Sequence, residues 1–486
     1  MKIIFRSGLL IALGLLVAPA AGQNIFPGDQ QFNRNSHDLP LTGASLNQGN
    51  LPPEINAGQP GNQDYAIRLE ALEKAFADKA EADKKKASKL PSLEIVGRIH
   101  LDVWDFAHAS PGIGFYENPT TGVDPESRIA FRRIRFTFRG DVTETMHYRY
   151  DLEFASPQNP QYRDAYIGFS DLPILQTVRI GNQKRPQGLD HLNSSNDNVF
   201  LERPMVIEAF NEDARRIGIA SYGVSDDEVY NWRFGAYNLD NTQATGAYIG
   251  DSFQMSGNAR LASTPWYDDC SGGRGYFHWG ISGMFARPDG DDTSLDSNVN
   301  EAFFRTRAEG RSSRRWVDTG AIAGAERYEI LGLESLLNVG PLQIVSEYQG
   351  NWVQRDNNTE VFLHGTYVYV AYTLTGEHIP FDRRTGTIGH LQPFENFFMV
   401  NRCCGGHGGG WGAWQAGIRY SYLDLTDDNI AGGVGENVTL ALNWIWSKNA
   451  KWQFNYVHGE IDQHAPVGGF TDGNYSIFGT RFMIYW

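Results

Sequence analysis

The sequence has little cysteine, no long apolar run past its first residues and no excess of positive charge. Three cysteines in 486 residues cannot build a disulfide framework. Two of them, Cys403 and Cys404, are adjacent in the glycine-rich stretch RCCGGHGGGW, and with His407 they lack the ligand spacing of a zinc site. No metal or other cofactor is therefore expected. Beyond residue 22 no segment approaches the roughly 18 apolar residues of a membrane-spanning helix, so any membrane crossing has to be made by strands. The formal charge of −15 disfavours nucleic acid as a partner. No G-x-S-x-G turn supports Ser194 or Ser195 with His191 as a nucleophile and base, so no catalytic residue is assigned. Internal repeats are also missing, which argues against a long adhesive array.

What is present begins with a leader. Lys2 and Arg6 precede GLLIALGLLVA and the small residues PAAG, the pattern of a secretory signal peptide over residues 1–22. Its removal takes the formal charge from −15 to −17. Residues 23–64, rich in Asn, Gln, Gly and Pro, read as a disordered linker. Residues 65–90 lack Gly and Pro and favour helix, with Leu69, Leu72 and Phe76 at coiled-coil spacing. Because Lys79 and Asp83 break the next turns, an oligomerisation arm and a solvated spacer both remain open.

From residue 92 onward the apolar period switches to two. In RIHLDVWDF (98–106), MHYRYDLEF (146–154), AWQAGIRYSYL (413–423), VTLALNWIW (438–446) and similar stretches, one face is aliphatic or aromatic, and Gly, Asn, Asp or Pro bounds each run. Many such faces need one shared apolar environment, and aromatics cluster at strand ends as they do at a bilayer interface. Residues 91–486 accommodate about 16 strands at roughly 25 residues per strand and loop. The fold class expected is all-β, an antiparallel transmembrane β-barrel of about 16 strands preceded by a short N-terminal helix. Its last segment, NYSIFGTRFMIYW, puts Phe478, Phe482, Ile484 and Trp486 on one face, as a closing strand would.

The same alternation sorts the basic residues. In FRRIRFTFRG (131–140), Arg133, Arg135, Thr137 and Arg139 share one face while Ile134, Phe136 and Phe138 share the other. Arg149, Arg179, Arg233, Arg419 and Arg481 likewise lie between lipid-type neighbours. An acidic chain can thus line its lumen with positive charge and favour anions through the local field.

Several stretches are similar to one family. The run GNQKRPQGLDHLNSSNDNVFLERPMVIEAFNEDARRIGIASYG (181–223), together with FRRIRFTFRGD, YDLEFA and GAWQAGIRYSYLDL, resembles the signature of the phosphate-selective porin O and P family. That resemblance implies a homotrimeric 16-stranded porin in the bacterial outer membrane, surrounded by lipid. An inward-folded loop would narrow a pore that favours anions such as phosphate or polyphosphate. It implies that Lys184, Arg185, Ser194 and Ser195 stand near the constriction, with Arg203, Arg215 and Arg216 around it, beside the channel-lining Arg133, Arg135, Arg139, Arg149 and Arg179 that the alternation already gives. Guanidinium and ammonium groups supply charge there, and hydroxyls supply directed donors to phosphate oxygens. Residues 181–216 also carry six acids (Asp190, Asp197, Glu202, Glu208, Glu212 and Asp213) against five bases. A transverse field and a non-selective general-diffusion pore are the alternative that this balance allows; a structural or adhesive barrel is a weaker one.

Overall fold

The computed structural model describes Lys74 and residues 90–486, apart from 213, 242–248, 250–253, 291–299, 357–358, 399 and 402–405. The signal peptide, the linker, nearly all of the 65–90 helix, Asp213, Cys403 and Cys404 therefore lie outside the described residues.

Sixteen antiparallel strands close into one barrel. They are β1 (Glu94–Ala109), β2 (Arg128–Asp141), β3 (Met146–Glu153), β4 (Gln161–Leu172), β5 (Gln176–Lys184), β6 (Arg215–Val224), β7 (Tyr230–Asn238) and β8 (Met255–Tyr267). The circuit continues through β9 (Gly275–Ala286), β10 (Ala325–Val339), β11 (Leu342–Arg355), β12 (Val361–Thr373), β13 (Ala413–Asp427), β14 (Ile430–Ser447), β15 (Ala450–His464) and β16 (Gly473–Tyr485). β16 returns to β1 with Ile99 opposite Ile484 and Leu101 opposite Phe482. Full closure leaves no unpaired edge, which is the condition for strands to stand in hydrocarbon.

Side-chain alternation sets the two surfaces. Val438, Leu440, Leu442, Phe478, Phe482 and Ile484 are exposed on the outer face, while Asn437, Thr439, Asn443 and Arg481 between them are buried inside. The terminal residue completes the seam. Trp486 exchanges both backbone hydrogen bonds with Gly97 (3.0 and 3.1 Å), and its ring occupies the place that a Cβ on Gly97 would take.

One irregularity breaks the alternation. The β1–β2 register shifts between His100 and Leu101, so His100 faces Arg133, Leu101 faces Phe131, and Arg132 is left over as a bulge. Strict alternation would put Arg132 on the lipid side. The bulge turns it inward instead, onto Glu202.

The two barrel ends differ. The start of β1 and the end of β16 lie at one end, with two-residue turns at 340–341 and 448–449 and a three-residue turn at 173–175. The other end carries the long loops, including 110–127, which holds α1 (Pro111–Glu117), then 185–214 and 287–324. The exception is 374–412, a long segment at the end where β1 starts and β16 finishes.

Candidate channel constriction

Three segments fold into the barrel. The first, 185–214, carries α2 (Leu189–Leu192) and α3 (Met205–Phe210). Its apolar run VFLERPMVIEAF has a docking surface ready. Gly417, Gly365 and Gly435 on the inner faces of β13, β12 and β14 leave room for Val199, Val206 and Met205, whose side chains come within 3.0, 2.9 and 3.1 Å of where a Cβ would sit. The apolar part of the loop thus packs against the β12–β14 wall, while its polar residues Ser194, Ser195, Asn196 and Glu202 reach β1 and β2.

Polar contacts fix it in the same place. The Glu347 carboxylate accepts from the backbone N–H groups of Leu189 (2.8 Å) and Asp190 (2.7 Å) and from the Tyr367 hydroxyl (2.6 Å). At the other end of α2, Lys184 Nζ donates to the carbonyls of His191, Leu192 and Asn193 at 2.9, 3.0 and 2.9 Å. Arg203 pairs with Asp190 (2.5 Å), Arg419 with Glu309, and Arg481 with Asp102 (2.7 Å) and Glu202 (2.8 Å).

The second segment, 287–324, lies on the first. Arg305 reaches Glu212 (2.9 Å) and Arg307 reaches Glu208 (3.2 Å), while Glu117 of α1 accepts from Ser313 N (2.8 Å) and Trp316 Nε1 (2.9 Å). The third enters from the opposite end as a short hairpin, Phe381–Asp382 with Thr387–Ile388. Arg260 donates to Gly386 O (3.1 Å), Asn231 to Arg383 O (3.2 Å) and Ile388 N to Asn193 Oδ1 (3.0 Å), and His390 meets Asp197. The two long segments therefore touch at the level of Asn193 and Asp197.

The wall they leave open is basic. On β1, Arg98 lies 3.5 Å from Ser194 Oγ and 3.3 Å from Ser195 Oγ, and His100 Nε2 lies 3.2 Å from Asn196 Oδ1. Arg133 stands 3.3 Å from His100 Nδ1. Among the described residues no ion pair to a carboxylate is recorded for Arg98 or Arg133. Arg132 is bidentate to Glu202 (2.8 and 3.1 Å) and Arg135 pairs with Glu153 (2.8 Å). Arg149 holds Asp151 (3.0 Å) and Asp164 (3.5 Å), and Arg215 holds Asp164 (2.7 Å). Arg179 sits between the Tyr166 and Tyr222 rings, 4.9 and 4.4 Å from their centroids. Farther up, Arg128, Arg132, Arg163 and Arg311 surround a cavity of about 300 Å³. The charge of Arg132, helped by burial, pushes Arg311 in the second segment down to about 9, a direct sign of crowded positive charge.

The residues singled out in the sequence fall into three settings. Arg133, Arg135, Arg149 and Arg179 project inward from the partly open wall, whereas Arg139 is exposed at the rim where β1 starts and pairs with Glu94 (2.8 Å). Ser194 and Ser195 turn their hydroxyls to Arg98. Lys184 and Arg203 spend their donors on holding the loop, Arg215 pairs with Asp164 of β4, and Arg216 donates to the carbonyls of Leu239 (2.6 Å), Arg215 (2.9 Å) and Glu212 (3.4 Å). Arg185 is buried beside Met284 Sδ (3.9 Å). His191 is buried, and burial followed by Lys184 and Arg203 holds its imidazole well below the ordinary value. For Glu202 burial opposes charge, but Arg132 and Arg481 outweigh it and keep the carboxyl well below the usual range.

Arg98, Arg132 and Glu347 were not singled out in the sequence. Arg98 shares its strand face with His100, Asp102 and Trp104, so alternation alone identifies it. Arg132 needs the bulge, and Glu347 needs the packed loop.

Residues 97–486 match the family described as "Phosphate-selective porin O and P". An uncharacterised protein of Caulobacter vibrioides is 26% identical over 404 residues, which span 81% of this chain and 74% of the relative. Among solved structures, an anion-selective porin from Comamonas acidovorans aligns over 81% of this chain and 99% of its own, at 12% identity and TM-score 0.48. The outer membrane channel DcaP of Acinetobacter baumannii aligns over 81% and 97%, at 11% identity and TM-score 0.48.

Proposed function

Because the chain belongs to the phosphate-selective porin O and P family and forms a closed 16-stranded barrel, it is an outer-membrane porin, and we propose that its water-filled path favours small anions of the phosphate class. One observation carries the selectivity. The inward arginines of β1–β5 are only partly covered by the folded segments, and beside the loop Arg98 and Arg133 meet hydroxyls and an imidazole instead of carboxylates. Such a group is available to a passing oxyanion, and Ser194 and Ser195 add directed donors beside it.

The acids of 181–216 do not cancel this field. Asp190, Glu202, Glu208 and Glu212 are each matched by an arginine, namely Arg203, Arg132, Arg307 and Arg305. Lys184 and Arg203 hold the loop, Arg185, Arg215 and Arg216 contribute background potential, and Arg179, stacked between Tyr166 and Tyr222, extends the positive lining beyond the carboxylate-paired Arg135 and Arg149.

The assembly proposed is a homotrimer that buries the low side of the barrel. A tilted strand needs about 9–11 residues to cross a bilayer. β3 has 8 and β5 has 9, against 15 in β13 and 18 in β14. A neighbouring copy shields the short side where lipid would be thinned.

Planar-bilayer recording tests the selectivity. In a KCl gradient the reversal potential should report chloride preference, and added phosphate should reduce the KCl current. A cation-directed reversal potential without phosphate block would leave a non-selective general-diffusion pore as the description.

A further inference from the structure

The outer face of the barrel carries a hollow that neither the channel nor the fold requires. Along β7–β10 the outward positions Ala236, Gly257, Ala259 and Gly283 are small, and they adjoin one another through the pairs Ala236–Gly257 and Ala259–Gly283, with Leu331 opposite Gly283. Phe234, Ile219, Phe285 and Leu331 stand around them, enclosing an almost wholly apolar groove of about 840 Å³.

Most strand glycines of this barrel have their Cβ space taken by a neighbouring group. On the outer face a ring of Trp232 lies over Gly223, one of Trp486 over Gly97, and those of Trp352 and Phe362 over Gly350. Gly257 and Gly283 differ: a Cβ at either would meet nothing within 4 Å, and neither has a positive φ. Neither a turn nor a close approach accounts for the missing side chains, so the space itself is the feature. In hydrocarbon an open apolar hollow of this size has to be filled, because each unfilled contact forfeits dispersion energy.

The rim identifies the occupant. The Phe285 end of the groove lies toward the long-loop end of the barrel, which in outer-membrane barrels is extracellular. Arg287 lies over the Phe285 ring, 5.8 Å from its centroid, and Arg327, paired with Glu329 at 3.1 Å, stands on the next strand. Two guanidiniums to one carboxylate make this lip positive, directly above an apolar trough.

We propose that the groove over β7–β11 binds an acyl chain of a phosphorylated, multiply acylated glycolipid of the outer leaflet, with Arg287 and Arg327 at its phosphate. The site rests on the outer-membrane location and is independent of pore selectivity. Guanidinium is suited to phosphate because its planar fork matches the oxyanion.

The test uses the full chain in detergent doped with hexa-acylated lipid A or, in parallel, with phosphatidylglycerol, read by native mass spectrometry. Wild-type protein should keep lipid A through activation that strips phosphatidylglycerol. Gly283→Phe and, separately, Gly257→Ile should lower retention at least tenfold, and Arg287→Gln about threefold, with heat-modifiable mobility and single-channel conductance unchanged. Equal retention of both lipids, no retention by wild type, or undiminished retention in either folded filled variant would overturn the proposal. So would a change in the number of chains per particle on filling, which would make the groove the seat of a second copy.

Discussion

The two sides of the barrel interior use the same residue in opposite ways. On β8, β13 and β16, Arg260, Arg419 and Arg481 are 2%, 2% and 1% exposed and are locked onto Glu334, Glu309 and Asp102 beneath the folded segments. On β1–β5, Arg98, Arg133, Arg149 and Arg179 occupy equivalent inward positions but are only partly covered. Alternation alone does not distinguish the two sets. What separates them is the glycine-lined docking surface at Gly365, Gly417 and Gly435, which draws the apolar part of the loop to one side and leaves the anion path proposed here on the other. An inward arginine is therefore structural or solute-facing according to what lies above it.

Breaking the covered side should have the largest effect. Arg419→Met leaves Glu309 buried and unpaired, which costs about 3–5 kcal/mol. The loop should loosen, lowering the midpoint of heat-induced mobility change and raising single-channel conductance. The double change Arg419→Met with Glu309→Leu should recover most of the loss, since an apolar pair replaces a buried ion pair at little cost. If the double variant is as unstable as the single, the pair does more than hold the loop.

Changing the open side should alter selectivity and spare stability. Each unit charge is worth about 1 kcal/mol to an ion at about 4 Å in water, roughly a fivefold change in permeability ratio. Arg98→Gln and Arg133→Gln should each move the reversal potential toward cations by about that amount. Arg139→Gln, at the rim beside Glu94, should do so far less, and equal shifts from all three would show that the field is diffuse.

The part of this contrast that the sequence revealed is the alternation itself. The period of two from residue 92 onward, the closing aromatic strand and the inward parity of Arg133, Arg135 and Arg149 are local properties, and each can be read from neighbouring residues. Arg132 was hidden because a single bulged residue reverses parity without any signal in composition. Lys184 and Arg203 were legible as positive charge near the loop, but their partners are backbone carbonyls and an acid that only the folded loop brings near. The hairpin at 381–388 has no periodicity long enough to announce it, and its anchors, Arg260 and Asn231, lie far away in the chain.

The smallest effect expected is a pH step at the mouth. Burial, with Asp240 and Asp289 close by, pushes Glu301 up to about 7. Below that pH the carboxyl is neutral, and above it one negative charge is added on the loop side. Chloride preference should therefore fall slightly between pH 6 and pH 8, and Glu301→Gln should remove the step in a reversal-potential titration.

The most direct measurement is thiol accessibility on the two sides. In a background where Cys270, Cys403 and Cys404 are replaced by serine, Ser194→Cys, facing Arg98, and Ser421→Cys, fully buried on β13, are each exposed to a small anionic methanethiosulfonate while current is recorded. The anion path along β1–β5 predicts rapid modification and loss of most of the current for Ser194→Cys, with Ser421→Cys unaffected. Modification of Ser421→Cys at a comparable rate, or an unreactive Ser194→Cys in an open channel, would contradict it.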